Sequence, residues 1–175
     1  MNRSPALLLL LFAVVSLADG SSEAGRYQES SDYVAKAFPG QTPKANTLWV
    51  SGELRNEVER VLGHRFDALR VRYWDDGRTS VWILDEIGKE LPITIGVTVS
   101  ANRIANVRVL EFRESRGWEV RYPFFTDQFD GAHLQSDQRL DRRIDGITGA
   151  TLSVGAVTRI ARVALIFDDN IRNKN

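Results

Sequence analysis

Asp145-Gly-Ile-Thr-Gly-Ala-Thr-Leu-Ser153 sets hydroxyl side chains and two glycines where a loop runs into an amphipathic helix. The first N–H groups of a helix lack intrahelical acceptors and its dipole is positive there, so such an end attracts phosphate. Thr151 to Val154 would supply those donors, with Thr151 at the mouth. Gly149 and Ala150 carry little side-chain bulk, so an anion can approach the backbone closely. Asp145 could bind a metal during a transfer reaction or simply cap the turn. Arg142 and Arg143, just upstream, would offset phosphate charge if they pointed inward. Spacing alone leaves a second reading open. Asp-Gly and Thr-Gly are ordinary turn pairs, and Thr151 or Ser153 would make an ordinary N-cap, the commoner use of such residues.

The elements that must position this stretch can be read from periodicity. Val154, Val157, Ala161, Ala164 and Leu165 form one stripe of a C-terminal helix, with Thr158, Arg159 and Arg162 opposite. Ahead of it the period is two. Leu69, Val71 and Tyr73 turn at Asp76-Gly77 into Thr79, Val81 and Ile83. Ile93, Ile95, Val97 and Val99 turn at Ala101-Asn102 into Ile104, Val107, Val109 and Phe112. Two hairpins predict an antiparallel sheet with one face covered by helices, an α+β fold. Two short helices precede it, from Ser30 to about Phe38 and from Ser51 to Gly63, separated by a loop at Gln41 to Asn46. After the sheet, Glu114 to Gly117 breaks the strand. Tyr122 to Phe129 makes one or two helical turns, and Asp137 to Ile144 is charged and partly extended.

Composition narrows the chemistry. The chain has 23 basic and 23 acidic residues, so neither nucleic acid nor an anionic membrane is indicated as partner. There is no cysteine, which rules out thiolate-held iron–sulfur clusters, Cys-x-x-Cys-His haem attachment and lipid attachment at cysteine. His64 and His133 stand in unrelated contexts and read as solvated or capping, so no metal site is expected. Neither a Ser-His-Asp set nor a carboxylate pair is present to name as catalytic. Redox work by this chain would need an organic cofactor. Arg3, the apolar run from Ala6 to Val15, and Ser16 and Ala18 before a cleavage point form a signal-peptide pattern over residues 1–18. An uncleaved signal anchor is the alternative. A flexible leader (19–29), one domain (30–170) and a short tail (171–175) complete the layout, and the product is expected to be exported, periplasmic or otherwise extracytoplasmic.

Asp145, Thr148-Gly149-Ala150-Thr151 and Ser153 resemble the flavin-attachment motif of the FMN-binding domain family, Asp-x-x-(Ser/Thr)-Gly-Ala-Thr-x-(Ser/Thr). The family includes flavinylated subunits of sodium-pumping and Rnf-type electron-transfer complexes. Ala37 to Gly40, Ile87 to Lys89 before Pro92 to Thr94, Val109 to Gly117 and Phe125 to Gly131 resemble its small exported members. The likeness runs over about residues 35 to 168. Larger members carry Glu-Thr-x-Gly where this chain has Glu114-Ser115-Arg116-Gly117. The resemblance implies covalent FMN on Thr151 through a phosphoester, put there by a separate flavin transferase that takes FAD and releases AMP. It implies flavin contacts from Asp145, Thr148, Gly149, Ala150, Leu152 and Ser153, and from Glu114, Ser115, Arg116 and Gly117. Glu86 to Lys89 would be a further wall. Trp118, Phe124, Phe125 and Phe129 could stack on isoalloxazine, although most of them read as core. The implied role is electron carriage between a membrane-bound redox partner and an extracytoplasmic acceptor. A flavin-dependent reductase and a flavin-free binding or sensing module are the alternatives.

Overall fold

The computed structural model describes residues 25–173. The signal-peptide reading, most of the leader and the last two residues lie outside them. Six strands form one antiparallel sheet in the order β1-β6-β5-β4-β3-β2. They are β1 (Gly25–Arg26), β2 (Ala45–Trp49), β3 (Arg70–Asp75), β4 (Thr79–Ile87), β5 (Pro92–Ser100) and β6 (Arg103–Phe112). The helices are α1 (Ser30–Ala37), α2 (Gly52–Leu62), α3 (Pro123–Thr126) and α4 (Thr151–Asn173). The fold is α+β, with both hairpins where the alternation put them.

Four details depart from the sequence reading. Ala45–Trp49, half of it taken as loop, is an edge strand paired with β3; only Leu48 and the following Val50 are buried, too few to show an alternation. Gly25–Arg26, read as leader, pairs with Phe112 and Glu111 at the other edge. Asp137 to Ile144 forms no strand, only a single bridge between Leu134 and Leu140. The sheet is also covered on two faces. Tyr73 pairs with Trp82 and Trp74 with Val81. Trp82, Val71 and Leu84 therefore face the main core, while Val81 and Leu110 join Tyr33, Val34 and Phe38 of the α1 layer in a smaller cluster. The apolar set Val81 and Ile83 thus points away from the main core, because α1 makes a second buried side.

The main core lies between the sheet and α4, whose Val157, Ile160, Ala161, Val163, Ala164 and Phe167 are buried. Trp82 stacks on Tyr73 at 4.7 Å between centroids and packs on Phe167 at 5.3 Å. Two polar ties fix α4 on this surface. Near its C-terminus the buried Asp168 accepts from Ser80 Oγ at 2.6 Å and pairs with Arg172, which also reaches Asp75. Burial raises the Asp168 carboxyl above its ordinary value. Nearer its start, Arg159 grips the buried Glu86 of β4 at 2.7 Å. A lone charge at Glu86 would be costly, so the pair locks the helix axially. That lock fixes where the first turn of α4 sits.

Candidate functional site

The mouth of α4 opens into a cleft of about 550 Å³ lined by Glu114, Ser115 and Arg116 on one side and Gly149 to Ser153 on the other, with Lys89 at its rim. Three backbone segments meet there, and each is held by a specific contact. The first is the α4 start. Val154 N–H donates to the Ala150 carbonyl and Ala150 N–H to Ile147. The N–H groups of Thr151, Leu152 and Ser153 between them have no acceptor among the described residues. Thr151 is the first helical residue and exposed, and its hydroxyl has no hydrogen-bond partner among the described residues. The N-cap reading of Thr151 therefore fails: a residue inside the first turn does not stand where a cap's side chain must.

The second segment is the turn from Glu114 to Gly117. Gly117 has φ +87°, and a Cβ there would lie 2.6 Å from Ser153 Oγ and 3.4 Å from the Ala150 Cβ. Only glycine permits both the left-handed backbone and this approach to α4. Gly117 thus serves both as turn former and as close-contact point.

The third segment is the β4–β5 turn. Glu114 Oε1 accepts from the N–H groups of Lys89 (2.6 Å), Glu90 (2.6 Å) and Leu91 (2.9 Å). Burial pushes the Glu114 carboxyl up, and the bonds from Leu91, Glu90 and Lys89 outweigh it, so it sits below its ordinary value. Glu114, expected as a flavin contact, lines the cleft and is also a buried clamp: its Oε1 carries Lys89 to the rim. Gly88 leaves room for it, since a Cβ there would meet Glu114 Oε1 at 3.1 Å.

The structure therefore gathers Glu114 to Gly117 and Gly149 to Ser153 and adds Lys89, which sequence reasoning mentioned only as a wall. Its neighbour Glu86 is turned away, bound to Arg159 and His64. Asp145 and Thr148 are exposed and do not line the cleft; Asp145 N–H donates to Gln128 Oε1 at 2.7 Å. Arg142 and Arg143 also fail to face it. Arg142 bonds the Asp130 carbonyl and Asp141, and both line a separate groove. Phe125 and Phe129 are core, at 5.5 Å from one another, while Phe124 is exposed. His64 is not merely solvated. It bridges the Arg65 carbonyl and Glu86, and these contacts, the former first, raise its pKa.

Chemically, the cleft can hold a phosphate. It offers three unpaired N–H groups, the hydroxyls of Ser115, Thr151 and Ser153, and two cations. Arg116 has no ion pair among the described residues, and Lys89 has only the exposed Glu90 at 3.0 Å. Leu152, 54% exposed, adds an apolar wall. A phosphate ester with an aromatic or aliphatic body fits such a donor set.

A cleft whose donors could take a phosphorylated cofactor at a helix mouth is thus what fold and site offer. Residues 88–166 match the family model described as FMN-binding domain, the family whose attachment motif Asp145 to Ser153 resembles. No curated protein matches the chain. The matched span runs from the β4–β5 turn into α4 and includes every residue that lines the cleft. FMN is the cofactor this match supports.

Proposed function

We propose that the chain carries FMN covalently, as a phosphoester on Thr151, and shuttles electrons between a membrane-bound reductase and an extracytoplasmic acceptor. The observation that carries the reading is the exposed, uncapped Thr151 hydroxyl beside three N–H groups without acceptors. In the attachment step the hydroxyl oxygen forms a bond to the FMN-side phosphorus of FAD. The pyrophosphate bond breaks, AMP leaves, and the hydroxyl proton passes to the transferase. Lys89, Arg116 and the open N–H groups would hold the phosphodiester once formed. The flavin supplies the redox chemistry, and the protein supplies tether and orientation. The cleft is open on one side, which suits exchange with a docked partner.

Co-expression with a flavin transferase, denaturation and in-gel fluorescence test this, with mass spectrometry for one added FMN. The wild type should glow and Thr151→Ala should be dark. A dark wild type would overturn the flavoprotein reading, and an adduct surviving in Thr151→Ala would move the anchor. Reoxidation by a membrane fraction, without turnover of small molecules by the protein alone, separates carrier from reductase. Cell fractionation and N-terminal sequencing test export, with a mature start at Asp19 expected.

A further inference from the structure

The helix flank that begins at Thr151 ends in a different kind of surface. Thr158 and Arg162 follow by seven and eleven residues, so they lie within about 20° of Thr151 around the axis and up to about 16 Å along it. There Arg139, Arg142, Arg143 and Arg162 line an open groove of about 610 Å³ floored by Leu140 and Ile144. One acid, Asp141, lines it too, already engaged by Arg142 at 3.3 Å and His133 at 3.2 Å. Arg139 has an exposed partner, Asp137, at 3.5 Å, a pair worth about 0–1 kcal/mol. Arg143 has no ion pair among the described residues. Arg162 has none either. Its Nε donates to the Gln138 carbonyl at 2.7 Å, which leaves the terminal amino groups of a half-buried guanidinium unused. Burial first, and then the charge of Arg139, lower its pKa, while Asp137 acts the other way. The chain as a whole is neutral, so this charge is a local arrangement.

We propose that the groove docks an acidic segment of a partner protein, an inference that rests on the reading of the chain as an electron carrier. Guanidinium forks match carboxylates, and Leu140 and Ile144 give side chains an apolar floor. No aromatic residue lines the groove to stack a base, which disfavours single-stranded nucleic acid. A partner seated here lies against the same flank of α4 that leads to the flavin anchor, and unpaired charge steers its approach.

The test uses the whole chain without flavin and a fluorescein-labelled decaglutamate, followed by anisotropy at about 20 and about 200 mM NaCl, across which screening tightens. Binding should weaken at least about tenfold with the added salt, and by a similar factor in Arg143→Glu. Arg78→Glu, the same charge change in an exposed turn, should leave it unaltered. Equal loss in Arg78→Glu would reduce the effect to bulk charge and overturn the proposal. So would a decathymidylate that binds as tightly, or millimolar inorganic phosphate that displaces the peptide, since these would mark a nucleic-acid or small-anion site. A chain that binds decaglutamate yet stays dark in the gel loses only the flavin reading. One that fluoresces but ignores the peptide loses only the docking reading.

Discussion

The mouth and the groove occupy the same face of α4, and they are built from opposite materials. At the mouth the donors are backbone N–H groups fixed by three converging turns, and the residues that matter most, Glu114 and Gly117, work by placing backbone. In the groove the donors are the tips of four arginines, only one of them half-buried by the helix. Fixed dipoles act at short range and resist salt, while flexible surface charges act at long range and are screened. A tether needs the first kind and an encounter surface the second. Substitutions of the residues that place the mouth's backbone should therefore change folding and flavin loading together, substitution of Thr151 should change loading alone, and substitutions in the groove should change association alone.

Gly117→Ala should show the largest effect. The left-handed backbone costs a β-carbon about 1–2 kcal/mol, and the clash with Ser153 Oγ adds a similar amount. A loss of about 3 kcal/mol in denaturant unfolding, with much less flavin adduct at equal expression, is the expected outcome. Unchanged stability would mean that the turn does not bear on α4 as the 2.6 Å approach requires.

Glu114→Ala comes next, at about 2 kcal/mol, because three N–H groups lose a charged acceptor. The pH dependence has a definite sign. The folded carboxyl lies below its ordinary value, so its contribution is complete above the unfolded pKa, near about 4.3. It is lost as pH falls through the folded value. Wild-type stability should thus drop more steeply than that of Glu114→Gln once pH falls below about 5. Parallel curves would break the clamp.

How much of this was legible beforehand follows the same division. The hairpins, the stripe of α4 and the cap glycine at Gly63 are local patterns, and periodicity found them. The family resemblance pointed to Thr151 and to the turn from Glu114 to Gly117, and the fold brings the two stretches to one cleft. What it could not supply was the job of each residue. Glu114 reads as an exposed acid until the β4–β5 turn is folded against it, and no spacing reports a contact between residues 114 and 89–91. Arg142 and Arg143 sit just upstream of the motif and would have offset phosphate charge had they pointed inward, yet the chain turns them to a groove farther along the helix face, beside Thr158 and Arg162. β2 was missed for a related reason. Its Thr47 and Trp49 are exposed, so the strand is held by pairing with β3 and carries little pattern of its own.

In the groove, Arg143→Glu should alter stability by no more than about 0.5 kcal/mol, because an exposed side chain without a partner removes nothing from the fold when it changes. Calorimetry of the variant against the wild type checks this. A larger loss would mean that Arg143 supports the loop before α4, and the contrast between the two surfaces would narrow.

The smallest expected shift decides between the two readings that the spacing of Asp145 to Ser153 left open. An N-cap threonine replaced by alanine costs about 1 kcal/mol, since one of the first N–H groups loses its acceptor. Thr151 lies inside the first turn, and its hydroxyl accepts from no N–H among the described residues. Thr151→Ala should therefore leave the flavin-free protein within about 0.3 kcal/mol of wild type, and alanine's better helix propensity tilts the sign toward stabilisation. The comparison must be made without flavin, because a bound phosphate would neutralise the same N–H groups and add its own stability. A loss near 1 kcal/mol would return Thr151 to the role of an ordinary cap. No loss, together with a dark gel band, would leave the hydroxyl with one function: it is kept at the helix mouth for what is attached to it.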